Sequence, residues 1–466
     1  MNILFTGRIK IFERVLRSKI TEYLETHDLY NAGQHGFIAG RSCLSQLLDH
    51  YDNIVQAMEA NQNMDVIYTD FAKAFDKCDH GVIAHKLKKL GIVGKIGRWI
   101  HNFLTNRSQV VVVNHTKSSN STVKSSVPQG TVLAPILFLI LISDIDSNTR
   151  HSTVSSFADD TKISMRVSTE DDTERLQSDV SEVFQWARDN NMLFNEEKFQ
   201  LIRYGKKKDI KDNTSYKTES NQIIKSESHV KDLGVIMSDD LSFNEHNTIK
   251  AASVRKLVGW MLRTFRTRDT LPMMTLFKLL VLSRIEYCSV LTSPYMKGEI
   301  ETLESIQRSF TAHISSVKHL DYWERLQSLK LYSLERRRER YIIIYVWKII
   351  ENLVPNLRTE ISTYWTDRQG RLCKIPPLKS RDGIRTIREN SLAVRGPKLF
   401  NKLPQHVRNI MGTSLEVFKG ALDKVLQQVP DEPGCHGYAG RRSANSNSLV
   451  DQLQAIPVWP QAGLRG

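Results

Sequence analysis

The sequence predicts an α+β fold built around a small antiparallel sheet. Helix-period runs alternate with short β-branched runs through roughly the first half of the chain. Two acidic stretches, "YTDF" (68–71) and "FADD" (157–160), fall at the ends of strand-like runs. From about residue 246 the pattern turns mostly helical and strongly basic, as in "KAASVRKLVGWMLRTFR" (250–266) and "LERRRERYIIIYVWKII" (334–350). A chain of 466 residues exceeds what one hydrophobic core usually fills, so roughly two or three domains are expected.

In chain order, Ile11, Phe12, Val15, Leu16, Ile20 and Leu24 repeat at helical spacing. A glycine-containing loop, "NAGQHGFIAGRS" (31–42), leads into a second helical run, "CLSQLLDHYDNIVQAMEAN" (43–61). "MDVIYTDF" (64–71) reads as a strand. "HGVIAHKLKKLG" (80–91) and "GRWIHNFL" (97–104) read as helices, and "SQVVVVNH" (108–115) with "STVKSSVPQG" (121–130) as a hairpin pair. The apolar run "VLAPILFLILI" (132–142) falls short of the ~20 residues a membrane span needs and reads as a buried helix. "STVSSFADDTKISMRV" (152–167) reads as two strands with the acidic pair at their turn. A helix is expected over 170–191, with Leu176, Val180, Val183, Phe184 and Trp186 on its inner side. "FQLIRYG" (199–205) and "VKDLGVIMS" (230–238) read as further short strands, and "GRRSANSNS" (440–448) as a solvated, flexible stretch.

The formal net charge of +14 points toward a polyanionic partner, most often nucleic acid. Cys43, Cys78, Cys288, Cys373 and Cys435 are scattered without a C-x-x-C pair, which argues against a disulfide framework and a cysteine zinc site. The opening "MNILFTGRIK" has too short an apolar run for a signal peptide. A soluble, intracellular protein of the nucleus or cytoplasm is expected.

Asp70 directly follows a β-type run and would stand at the end of a buried strand. If the strand pair around Asp159 and Asp160 neighbours it in one sheet, the carboxylates converge. Divalent ions ~3.5–4 Å apart would then clamp the attacking and leaving oxygens of a phosphoryl transfer. Mg²⁺ suits that task, because it takes oxygen ligands octahedrally and shares its shell with substrate phosphates. Successive strand residues face opposite sides, so Asp159 is expected to be the stronger ligand and Asp160 auxiliary. Taken alone, an acidic pair in a turn is more often a solvated cap.

Six blocks in order lift the reading above that alternative. They are "QHGFIAGRSC" (34–43), "DFAKAFDKCDH" (70–80), "SVPQGTVLAPILF" (126–138), "FADD" (157–160), "NMLFNEEKFQLI" (191–202) and "HVKDLGVIMSDDLSF" (229–243). The series resembles the reverse transcriptases of non-LTR retrotransposons, jockey and CR1-like elements in particular. The resemblance implies a right-hand polymerase with an antiparallel-sheet palm, partial fingers, a helical thumb and a mostly helical C-terminal region. It implies an RNA-directed DNA polymerase that joins dNTPs to a DNA primer on an RNA template, using two Mg²⁺ ions for which Mn²⁺ can substitute.

By the same resemblance Asp70 and Asp159 would hold the metals, with the Phe71 main-chain carbonyl as an extra ligand and Asp160 in support. Phe75 would be the steric gate, an aromatic ring under the sugar that excludes a 2′-hydroxyl. Gln129 would contact the incoming nucleotide, and Gly130 would allow close backbone approach. Lys198 would protonate the departing pyrophosphate. Arg41 would neutralise triphosphate charge. Leu233 and Gly234 would sit against the primer backbone. The implied division is 1–61 partial fingers, 62–245 palm, 246–340 thumb-like and 341–466 a basic region of unassigned role.

Two departures from the family pattern stand out. Ile38 occupies a position where the family has Arg, which removes one phosphate contact. "MNILFTGRI" replaces a strand found upstream of the first helix, so the chain reads as a truncated element copy that starts within the fingers. An inactive or domesticated remnant that only binds nucleic acid is therefore the competing reading. "YWERLQSLKLYSLERRRERYIIIYVWKII" (322–350) and "LFNKLPQHVRNI" (399–410) also resemble the tails of these elements, with Phe400 where Trp is usual. The arginine-rich helix among them is expected either to contact RNA phosphates or to be an amphipathic, solvated helix.

Overall fold

"NMDVIYT" forms the central strand of a five-stranded sheet in the computed structural model, which describes residues 7–205, 213–356, 358–378, 384–431 and 447–454. In chain order the strands used below are β1 (Asn63–Thr69), β2 (Ser108–Gln109), β3 (Val112–Val113), β4 (Thr116–Lys117), β5 (Ser121–Thr122), β6 (Thr153–Phe157), β7 (Asp160–Val167), β8 (Gln200–Tyr204), β9 (Lys225–Ser226), β10 (His229–Asp232) and β11 (Val235–Ser238). The main sheet runs β6-β7-β1-β8-β9. β7 and β8 flank β1 antiparallel, and β9 lies parallel to β8. Only Tyr68 of β1 escapes burial, so its side chains do not alternate between core and water. The Asp65 carboxylate inside that strand accepts a 2.7 Å hydrogen bond from the Tyr216 hydroxyl and lies 3.4 Å from Arg203 Nε.

The helices named here are α1 (Gly7–Thr26), α2 (Cys43–Glu59), α3 (His80–Lys89), α4 (Gly94–Leu104), α5 (Ala134–Leu141), α6 (Glu170–Asp189), α7 (Asn244–Thr264), α8 (Lys297–Thr311) and α9 (Leu334–Ile350). The chain divides into two compact units, one of residues 1–46 with 60–230, the other of 47–59 with 231–466.

In the first unit, Leu16, Ile20 and Leu24 of α1, Ile67 of β1, Leu137 and Phe138 of α5, and Leu176 and Val180 of α6 share one core. Every residue of α5 except Pro135 is buried, in keeping with the buried helix read from "VLAPILFLILI". Among the described residues no helix is long and apolar enough to cross a membrane. The inner face of α1 differs from expectation: Glu13 is fully buried there, while Ile11, Phe12 and Val15 are exposed. The reason is helical termination chemistry. Glu13 Oε2 accepts the main-chain N–H groups of Val132 (2.7 Å) and Leu133 (3.2 Å), which the start of α5 leaves without helical partners. Phe12 packs edge-on against Trp99 at 5.0 Å.

The hairpin expected over 108–130 closes after two short rungs, β2 with β5 and β3 with β4. "VKSSVPQG" does not continue it. Ser126 takes a left-handed φ of 90° and its carbonyl accepts from Arg107 at 2.7 Å, turning the chain toward α5. "VKDLGVIMS", expected as one strand, is also broken. β10 and β11 form a hairpin whose central residues, Leu233 and Gly234, have φ of 45° and 83°, both positive as the tight hairpin turn requires.

In the second unit, Val254 and Val258 of α7, Phe277, and Leu303 and Phe310 of α8 form the core. The arginine run of α9 is engaged within the unit. Arg336 is fully buried and donates to the carbonyls of Pro430 (2.9 Å) and Asn447 (3.0 Å). Arg340 pairs with Asp423, and Arg337 with Glu286. Residues 440–446 of the stretch read as solvated lie outside the described residues. Asn447 is buried, and the Ser448 hydroxyl donates to Glu339 at 2.6 Å. Cys43, Cys78, Cys288 and Cys373 are free thiols, and Cys435 lies outside the described residues.

Glu13→Ala should strand two main-chain donors and destabilise the protein by about 1–3 kcal/mol. Glu13→Gln, which keeps an acceptor oxygen, should cost less. Urea unfolding of the three proteins checks the order.

Candidate active site

The ladder between β1 and β7 brings the acidic stretches together. Its last pair is Thr69 with Thr161, so the next step along each strand sets Asp70 beside the end of the β6–β7 hairpin, where Phe157 pairs with Asp160. Ala158 and Asp159 make the turn, Ala158 with a left-handed φ of 55°. Asp159 is half-buried and Asp160 exposed. Burial raises the Asp159 carboxyl above the usual carboxylate range, and the negative charge of Asp70 pushes it the same way. Two carboxylates from strands distant in sequence thus share one local field.

The main chain at Asp70 is pinned from its other side. Asn195 N–H donates to the Asp70 carbonyl and Ala72 N–H to the Leu193 carbonyl, both at 2.7 Å, so Phe71 and Phe194 form an isolated antiparallel bridge. In a pair of this kind the N–H and C=O of the two bridged residues turn outward. The Phe71 carbonyl therefore faces away from Phe194, toward the β7 side. The rings of Phe71 and Phe194 stack at 4.4 Å, and Phe194 meets Phe184 and Phe199 edge-on. This aromatic packing fixes the block that carries Lys198. A one-turn helix, Glu196–Lys198, sets Lys198 Nζ 3.0 Å from Asp70 Oδ2.

Beyond Asp70 the chain makes another single turn, Ala74–Asp76. The Phe75 ring stacks on Phe138 at 4.4 Å and meets Phe37 edge-on at 6.5 Å. Its carbonyl accepts from Val127 N–H at 3.1 Å, tying the turn to "VPQG". Gln129 Nε2 donates to Asp76 Oδ1 at 2.9 Å. Gly130 has φ of 81°, and a Cβ there would meet open space. Thr131 N–H returns to the Pro128 carbonyl at 3.3 Å, so the glycine sits where such a turn requires positive φ. The Arg41 guanidinium donates to the carbonyls of Ala32 (2.8 Å) and Gln34, closing its own loop.

Sequence reasoning passed over two residues that brace predicted site positions, one in each unit. Gln34 is buried, and its Oε1 accepts from Gly36 N–H (2.6 Å) and Ala158 N–H (2.9 Å). The "GQHG" spacing is the available signal, since two glycines so close together mark an approach of main chains. Tyr287, in the second unit, donates its hydroxyl to the Leu233 carbonyl at 2.7 Å, and its ring lies 3.4 Å from where a Cβ on Gly234 would stand. No local pattern marks it. His246 Nδ1 accepts from Ile236 N–H at 3.2 Å, steadying the same hairpin.

Among the described residues no three His, Cys, Asp or Glu side chains close on a single point as a self-sufficient metal cage. The donors at hand are two neighbouring carboxylates and an outward main-chain carbonyl. All are hard oxygens, the set Mg²⁺ accepts while water and substrate phosphates fill its remaining positions. An acidic strand end against an acidic hairpin turn, on a mainly antiparallel sheet backed by helices, is the arrangement expected of a polymerase palm.

Residues 3–237, half of the chain, match the reverse transcriptase (RNA-dependent DNA polymerase) family, and the chain belongs to that family. It is 24% identical over 307 residues to a probable RNA-directed DNA polymerase from transposon X-element of Drosophila melanogaster, covering 64% of this chain and 33% of the relative. It is 26% identical over 260 residues to the RNA-directed DNA polymerase from mobile element jockey of the same fly, covering 54% and 28%. The chain thus spans about a third of the length of the relatives it matches. Telomerase from Candida albicans, solved with a fragment of telomeric RNA, overlaps loosely, with a TM-score of 0.41 and 12% identity over 72% of this chain and 50% of that one.

The β10–β11 turn gives a test of backbone strain. Gly234→Ala should destabilise the protein by about 1–2 kcal/mol, the cost of a left-handed L-residue, whereas Leu233→Gly should relieve a similar strain. Opposite shifts in the denaturant midpoint check both.

Proposed function

We propose that this chain is an RNA-directed DNA polymerase that extends a DNA primer on an RNA template with dNTPs, as the catalytic part of a non-LTR retrotransposon protein. The observation that carries the reading is the convergence of Asp70 and Asp159 at one end of the palm sheet in a chain of the reverse transcriptase family.

Asp70, Asp159 and the Phe71 carbonyl would hold two Mg²⁺ ions, or Mn²⁺ in their place, with Asp160 in support. When bound, such ions stabilise the charge that develops as the primer 3′-hydroxyl attacks the α-phosphate. Lys198 answers to the same chemistry. Its ammonium lies on an Asp70 oxygen that a metal would claim, and two cations do not share that oxygen comfortably. Released, it can reach toward the leaving pyrophosphate and give it a proton. Phe75, held by Phe138, presents a rigid ring under the sugar. Gln129 and Gly130 offer an amide and an open main chain to the nucleotide, and Arg41 a guanidinium to its phosphates. Leu233 and Gly234 would meet the primer backbone. In this reading residues 1–61 act as partial fingers, 62–245 as palm and 246–340 as a thumb-like region.

The second reading is a remnant that binds nucleic acid without copying it. Ile38, where the family carries Arg, and Arg41, whose guanidinium serves loop carbonyls, favour it. Primer extension decides between them. With poly(rA)/oligo(dT) and Mg²⁺ the protein should incorporate dTTP, and EDTA or Asp159→Ala should reduce incorporation to background while retention on poly(rA) persists. Equal incorporation by wild type and Asp159→Ala would remove Asp159 from the mechanism.

A second experiment addresses the gate: Phe75→Val should admit ribonucleotides, and unchanged sugar discrimination would refute the assignment. RNA retention should also fall steeply with added salt, as contacts to several phosphates require.

A further inference from the structure

The acidic hairpin does not hold its own shape. Ala158 turns with φ of 55°, a conformation that costs an L-residue and persists only where its surroundings impose it. What imposes it comes from the loop of residues 33–36, far away in sequence. His35 N–H donates to the Ser156 carbonyl at 2.8 Å, and Ser156 N–H donates to the Gly33 carbonyl at 2.9 Å, so the loop adds a short parallel rung to β6. The rung places the Gln34 side chain against the turn. Its Oε1 takes the Ala158 N–H at 2.9 Å, its Nε2 lies 3.4 Å from the Ala158 carbonyl, and the same Oε1 takes the Gly36 N–H at 2.6 Å. Both main-chain groups of the strained residue are therefore met by one buried amide.

The glycines around Gln34 show how tight the seat is. A Cβ on Gly33 would lie 2.3 Å from the Val154 carbonyl oxygen, and one on Gly36 would lie 2.4 Å from the Ala158 nitrogen. Asp159 follows Ala158 directly, so a shift in that turn moves the Asp159 carboxylate relative to Asp70, whose strand end is fixed separately by Asn195 and Phe194.

We propose that the Gln34 side-chain amide fixes the left-handed turn at Ala158 and so aims the Asp159 carboxylate at the point where it would share divalent cations with Asp70. Gln34 is then a positioning residue. The inference rests on the metal-dependent polymerase reading above, but it concerns how the ligand is held and can be read without turnover.

The test titrates the full chain with Mn²⁺, following free ion by electron paramagnetic resonance, beside the Mg²⁺ dependence of primer extension. Gln34→Met keeps the bulk of the side chain and removes its polar atoms. It should weaken Mn²⁺ binding about ten-fold, the usual effect of losing a group that orients a metal ligand, and raise the Mg²⁺ needed for half-maximal extension in step. Gln34→Glu, which retains the oxygen that takes the Ala158 N–H but turns a second acceptor toward the Ala158 carbonyl, should lose clearly less than Gln34→Met. A role limited to stability would lower the melting temperature and leave the Mn²⁺ affinity of the folded protein unchanged, and that result would overturn the proposal. So would equal losses in the Met and Glu variants, or a wild-type chain that binds no Mn²⁺. If Gln34→Met does not fold, Gly36→Ala pushes the loop off Ala158 with Gln34 intact: weakened Mn²⁺ binding supports the proposal and wild-type affinity refutes it. A wild type that binds Mn²⁺ yet extends no primer would refute the polymerase reading and leave the Gln34 comparison standing.

Discussion

Two carboxylates set side by side repel, and much of the first unit is arranged to hold them together regardless. Burial does most to raise the Asp159 carboxyl, and the Asp70 charge adds to the rise. A flexible chain would relieve that repulsion by moving apart. Here β1 is hydrogen-bonded between β7 and β8, so its register cannot slip without breaking both ladders. Asp70 is fixed by the sheet that precedes it and by the bridge to Phe194 that follows it. Asp159 is fixed by a turn that a separate loop clamps. Lys198 supplies the nearest positive charge, from an exposed position where a surface ion pair is weak and easily exchanged.

The same economy of polar groups runs through the unit. Glu13 serves the start of α5, and Asp65 accepts from the Tyr216 hydroxyl beside Arg203. Asp144 takes both the Lys86 ammonium and the Trp186 indole N–H, and these contacts hold its carboxyl below the usual range despite burial. Each withdraws a carboxylate wholly or partly from water and gives it donors from a distant part of the chain. Asp70 and Asp159 stand apart because the half-buried Asp159 faces a second carboxylate and, among the described residues, the only cation paired with Asp70 is the exposed Lys198, an arrangement that favours a cation from outside.

The second unit turns its charge to a different use. Arg336 binds carbonyls at the end of the chain's described region, and Arg337 and Arg340 pair with acids across the unit. Arg388 approaches Asp52 and Glu59 of α2 at 3.8 and 3.4 Å, joining an early helix to a late one. The basic excess of the composition is therefore not all surface charge, and part of it replaces apolar packing as the means of closing this unit.

Local pattern alone settled a good deal. The strand before Asp70 and the apolar helix α5 follow from unbroken β-branched or apolar runs, the acidic turn from its place between two such runs, and the inner side of α6 from 3.6-residue spacing, and each depends on neighbours within a few residues. The six ordered blocks named the family because their chemistry is local too. Tertiary structure decided what depends on partners far away in sequence. It placed Glu13 inside α1's core face, folded "VKDLGVIMS" into a hairpin around Leu233 and Gly234 under Tyr287, and turned the α9 arginines inward. It also brought Gln34 to Ala158. A polar side chain carries no sign of which distant main-chain group it will satisfy, because that pairing exists only once the elements have packed.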